Sequence, residues 1–85
     1  MGWMTESDDR ILEVLNEADL VLPPKTIHVN LERNGVELTP RTIRRRLPKL
    51  EKAGLVDLYR ESGRYYSISP KGRRYLSGDL DASEL

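Results

Sequence analysis

Eighty-five residues, fourteen of them basic and fourteen acidic, make a chain with no formal net charge. The length suits one small domain that buries roughly 60% to 70% of its unfolded surface, with no room for a separate effector domain. The lack of cysteine excludes a disulfide framework and a thiolate metal site. No apolar run approaches the roughly 18 residues of a membrane span, and the start Met1-Gly2-Trp3-Met4-Thr5-Glu6 lacks the basic and apolar regions of a signal peptide. The chain therefore reads as soluble and cytoplasmic, with no membrane partner.

The first helix is expected to begin after Thr5, a capping residue, with Asp8 and Asp9 near the positive end of the helix dipole. Ile11, Leu15 and Ala18 form its apolar stripe, widened by Leu12 and Val14. A loop from Asp19 to Leu22 leads to Pro23-Pro24, and proline favours the first helical position. Ile27 and Leu31 are the buried pair of a short second helix that Asn34-Gly35 ends, since glycine supplies the left-handed residue a helix terminus wants. His28, the one histidine, has no second ligand at helical spacing and reads as an ordinary helix residue, not a metal ligand. Val36 and Leu38 carry the chain across a short turn to Thr39-Pro40, a cap and first-position pair that opens the third helix.

That helix, over about residues 40–53, holds six cations: Arg41, Arg44, Arg45, Arg46, Lys49 and Lys52. With Ile43 at zero and about 100° per residue, Leu47 and Leu50 lie within roughly 40° of it, while Arg41, Arg45 and Lys52 fall near 160° to 200°. Arg44 and Lys49 flank this outward face. Arg46 lies beside the core stripe, its stem along apolar surface and its head expected to reach water. Pro48 cannot donate to the Arg44 carbonyl and should bend the helix there, before Gly54 stops it.

After Gly54 the period changes to two. Val56 and Leu58, then Tyr66 and Ile68, flank the turn Arg60-Glu61-Ser62-Gly63-Arg64, which predicts a two-stranded hairpin. Ser69-Pro70 opens a last helix that returns Tyr75 and Leu76 to the core and leaves Lys71, Arg73 and Arg74 outside. Residues 1–76 read as the domain and residues 77–85 as an acidic tail in which Leu80 and Leu85 are able to dock.

Neutrality conceals a strong polarity along the chain. Residues 1–40 hold three basic and eight acidic side chains, residues 41–74 eleven and three, and residues 75–85 none and three, so the segments carry −5, +8 and −3. From Arg41 to Lys52 the only acid is Glu51. An ordinary solvated helix face mixes signs, and like charges one turn apart repel by a few tenths of a kcal/mol, so folding alone does not favour this run. A polyanionic partner would.

The segments Asp9-Arg10-Ile11-Leu12-Glu13-Val14-Leu15, Leu22-Pro23-Pro24-Lys25, Thr42-Ile43-Arg44-Arg45-Arg46-Leu47, Leu50-Glu51-Lys52-Ala53-Gly54-Leu55-Val56 and Tyr65-Tyr66-Ser67-Ile68-Ser69-Pro70-Lys71-Gly72 span nearly the whole chain. They resemble winged helix-turn-helix regulators, and in particular the small archaeal regulators similar to the phage PhiH repressor, best known from haloarchaea. The resemblance implies an α+β fold of three helices, a two-stranded wing and a carboxyl-terminal helix. It also implies a dimeric, sequence-specific DNA-binding regulator, a repressor by analogy.

On that fold the amino-terminal half of helix three would enter the major groove. Arg41, Thr42 and Arg45 are the candidates for base edges, because arginine suits guanine O6 and N7 and threonine offers a hydroxyl or meets a thymine methyl. Lys25, Thr39, Arg44, Lys49 and Lys52 are the candidates for the phosphate backbone, which gives affinity and register but not sequence. At the wing tip, Arg60, Ser62 and Arg64 would reach the adjacent minor groove or backbone.

A homodimer is expected because one winged helix reads too few base pairs to select a site. Trp3, Met4, Leu12, Tyr75, Leu76 and Leu80 are its candidate interface, joined by Val14 and Leu85. The competing use of Trp3 is as a lid over the core. No cofactor, metal or small-molecule ligand is indicated, and an enzyme lacks a convergent set of titratable groups. The rival function is a protein-interaction or RNA-binding module, since fold alone does not dictate function.

Overall fold

Residues 3–81 are described by a computed structural model. The elements are α1 (Glu6–Ala18), α2 (Pro24–Arg33), α3 (Pro40–Lys52), β1 (Val56–Tyr59), β2 (Tyr65–Ile68) and α4 (Pro70–Leu76). This is the α+β winged-helix layout. Leu85 lies outside the described residues.

Local chemistry explains the boundaries. Thr5 and Asp8 form a reciprocal capping box: the Asp8 amide donates to Thr5 Oγ1 (3.3 Å) and the Thr5 amide to Asp8 Oδ2 (2.9 Å). Thr39 and Ser69 cap α3 and α4 by accepting from the Thr42 and Gly72 amides, each followed by a proline at the first position. The ends of α2 and α3 share one device. Gly35 and Gly54 adopt φ of 78° and 80°; their amides return to Glu32 and Glu51, and the next residue's amide returns to Leu31 and Leu50.

The helix α3 runs on through Pro48, which is exposed, and ends at Lys52 with Ala53 as its cap, one residue short of the expected end.

The sheet is an antiparallel pair in the register Val56↔Ile68, Asp57↔Ser67, Leu58↔Tyr66 and Tyr59↔Tyr65. Residues 60–64 form the tip, where Ser62 (φ 61°) and Gly63 (φ 139°) turn the chain. Leu22 adds a bridge on the far side of β2, exchanging backbone hydrogen bonds of 2.8 Å with Tyr66 in both directions. The loop after α1 is thereby tied to the sheet, a contact that sequence periodicity did not reveal.

The core joins Ile11, Leu12 and Leu15 of α1, Ile27 and Leu31 of α2, Ile43, Leu47 and Leu50 of α3, then Leu55, Val56, Tyr66 and Ile68. Leu58, Tyr75 and Leu76 sit half-buried at its margin. Burial of the α3 stripe against α1, α2 and β1 fixes which face of that helix remains outside.

Candidate nucleic-acid interface

Five of the six α3 cations are exposed: Arg41, Arg44, Arg45, Lys49 and Lys52. None of the five side chains makes a hydrogen bond or ion pair among the described residues. Three cations outside α3 do have partners: Arg10 bonds Glu6 and Glu13, Arg73 bonds Asn16 and Asp19, and Lys71 Nζ donates to the Ala53 carbonyl at the end of α3 (2.9 Å). Arg73 and Arg74 are exposed, as expected, and Lys71 is half-buried; Lys71 and Arg73 are both held by partners within the fold. The unpaired set on α3 leaves a row of donors for an anion from outside.

Arg46 corrects the sequence reading most sharply. Most of its head is withdrawn from water. Nε and Nη2 donate to Asp8 Oδ1 and Oδ2 at 2.8 and 2.6 Å, a fork-on-carboxylate pair, and Nη2 also donates to the Trp3 carbonyl at 3.0 Å. Its side chain is 11% exposed, and that of Asp8 not at all. The hydrogen bond to Asp8 holds the guanidinium above its already high ordinary pKa. Arg46 fastens α3 to the start of α1 and contributes no charge to the outer face.

The other candidates separate by what they touch. Thr42 is half-buried, and Thr39 is exposed. Thr39 Oγ1 accepts from the Thr42 amide and donates to Thr42 Oγ1 at 3.0 Å, so donation to a phosphate requires its proton to turn from Thr42 Oγ1 while the cap stays made. Lys25, in the first turn of α2, is exposed and unpaired. Arg60, Ser62 and Arg64 are all exposed at the wing tip.

The residues expected at a dimer surface do not form one patch. Leu12 is 0% exposed and Val14 6%, because α1 turns that side into the monomer's own core, so neither belongs to a surface. Tyr75, Leu76 and Leu80 do come together, in a groove edged by Asp9, Glu13 and Asp81. The Tyr75 hydroxyl donates to Asp9 Oδ1 at 2.6 Å, which with desolvation raises its pKa to about 12. Met4 packs half-buried on the core. Trp3 lies elsewhere, lining a recess with Lys49, Lys52 and Ala53. His28 faces Glu32 one turn on, 3.7 Å from its carboxylate.

A family model described as the winged helix-turn-helix phage repressor matches residues 1–85. The repressor protein of Halobacterium phage phiH is 33% identical over 87 residues, an alignment that covers 98% of this chain and 90% of that protein. No solved structure matches the chain.

Proposed function

The chain belongs to the winged helix-turn-helix phage repressor family, and from that premise we propose that it is a sequence-specific double-stranded DNA-binding repressor. The observation that carries the reading is the row of five exposed, unpaired cations on α3. The amino-terminal half of α3 lies in the major groove, with Arg41, Thr42 and Arg45 at base edges. Arg44, Lys49 and Lys52 grip phosphates, with Lys25 and Thr39 as further backbone contacts. Arg60, Ser62 and Arg64 follow the wing to the neighbouring minor groove or backbone. Tyr66 is 3% exposed, so its ring offers no platform for stacking a single-stranded RNA base, while Tyr59 is 48% exposed.

The repressor acts as a homodimer, because paired half-sites about one turn, or 34 Å, apart multiply the discrimination of one small module. The groove of Tyr75, Leu76 and Leu80, with its acidic edge, is the surface that supports this pairing. Selection of bound duplexes from a random pool at several salt concentrations tests the function. A short motif repeated with two-fold symmetry is expected. A pool that stays random through successive rounds would overturn sequence-specific recognition and favour a protein-interaction module.

A further inference from the structure

Trp3 packs half-buried against the core, as the lid reading expects, and it also lies against the carboxyl-terminal half of α3. Its ring lines a shallow apolar recess with Lys49, Lys52 and Ala53. The Trp3 carbonyl accepts from Arg46 Nη2, and the Arg46 guanidinium carbon lies 5.9 Å from the ring centroid, within cation–π range. Arg46 is itself clamped by buried Asp8. A charge withdrawn from the outer face of α3 is therefore used to hold an indole next to that face.

We propose that Trp3 is part of the DNA-binding surface: its ring packs on the deoxyribose of one strand, beside phosphates held by Lys49 and Lys52, and Arg46 is the residue that positions it. This rests on the reading that α3 binds DNA. Charge and shape select the occupant. Lysines at i and i+3 have Cβ atoms roughly 5 to 6 Å apart, and their flexible stems adapt to successive phosphates of one strand. Between two phosphates a strand presents an apolar sugar, the complement of an indole and an alanine flanked by two ammonium groups. A second copy on the same recess would bring two further lysines across a two-fold axis, and like charges would oppose one another. The contact touches no base edge, so its contribution is the same on every duplex.

Trp3 is the single tryptophan, so tryptophan emission reports this residue alone. The full chain is titrated with a mixed-sequence duplex of roughly 30 bp, about three helical turns, while anisotropy of a dye on the DNA follows binding independently. Trp3 emission should change, and its quenching by acrylamide should fall, in step with anisotropy. Trp3→Ala should weaken binding on the order of 10-fold, the loss of one buried aromatic contact, equally on mixed and selected sequences. Trp3→Phe should recover most of that loss, and it carries the affinity test if the alanine variant does not fold. Anisotropy that saturates while acrylamide access stays constant overturns the proposal, as does a phenylalanine or alanine variant that binds within about twofold of both the parent and the other variant. Emission that follows protein concentration without DNA assigns Trp3 to a contact between copies instead. If no duplex changes the anisotropy, the DNA reading itself fails and this inference with it.

Discussion

Asp8 and Arg46 stand 38 positions apart in the chain, and Arg46 Nη2 lies 2.6 Å from Asp8 Oδ2. The two Arg10 pairs, with Glu6 and Glu13, lie in solvent, where a surface ion pair contributes little. The Asp8 pair is enclosed, and removing one partner leaves a charge without compensation. Asp8→Ala should therefore cost about 3 to 5 kcal/mol, including the loss of a helix cap worth about 1. Glu13→Ala should stay within about 0.5 kcal/mol. Urea unfolding of the two variants makes the comparison, and equal losses would show that the pair contributes no more than a surface contact.

Direct readout separates the arginines from the lysines. Arg45→Ala or Arg41→Ala should cost about 1 to 3 kcal/mol on the preferred site and relax the choice at one base pair. Lys52→Ala should weaken matched and mismatched duplexes alike. Measured on the same pair of duplexes, an Arg45→Ala loss that is equal on both removes that residue from sequence reading.

Salt dependence counts the phosphate contacts. Arg46 is committed to Asp8 and Arg41 and Arg45 face bases, so Arg44, Lys49 and Lys52, with Lys25, are the cations that displace counterions. At about −0.9 per phosphate these four give a slope of log affinity against log salt of roughly −3.6. Arg46→Met, in whatever fraction remains folded, should leave the slope unchanged, whereas Lys49→Ala should make it shallower by about 1. A parent slope shallower than about −2 would mean that the basic helix is not on the backbone.

Much of this was legible in the sequence because it depends on neighbours in the chain. Thr39-Pro40 and Ser69-Pro70 announced helix starts, Asn34-Gly35 a helix end, and the change of period after Gly54 a hairpin, since caps, turns and stripes act over a few residues. What was hidden depends on contacts between distant elements. Asp8 sits three residues before Ile11 and seven before Leu15, on the apolar stripe of α1, and Arg46 lies beside the stripe of α3. Both misplaced charges were visible, but nothing local says that they meet. The position of Trp3 follows from the same pair, and so was equally out of reach.

Gly72 records another long-range contact. A Cβ there would lie 2.3 Å from the Leu55 carbonyl oxygen and 2.9 Å from Ile68 Cγ1. Neither atom moves easily: the carbonyl accepts from the Ser69 amide, and Ile68 is core. Gly72→Ala should lose about 1 to 3 kcal/mol or more, despite alanine's better helix propensity. A thermal midpoint equal to the parent's would show that α4 is free to shift away from β2.

Tyr75 sets an alkaline limit that one oxygen atom controls. The neutral phenol donates to Asp9 Oδ1, and ionisation would place two negative charges 2.6 Å apart, so the folded protein holds the proton up to about pH 12 whereas the ordinary value is 10.0. A pKa raised on folding stabilises the fold fully below the unfolded value. Between about pH 10 and about pH 12 the unfolded chain gives up this proton first, and the contribution is lost as pH rises through the folded value. Tyr75→Phe has no proton to lose. The stability advantage of the parent over this variant should be constant below about pH 10 and shrink across that window. Paired denaturation curves at stepped pH make the measurement, and a difference that stays flat to about pH 12 would show that the bond to Asp9 does not hold the phenol proton.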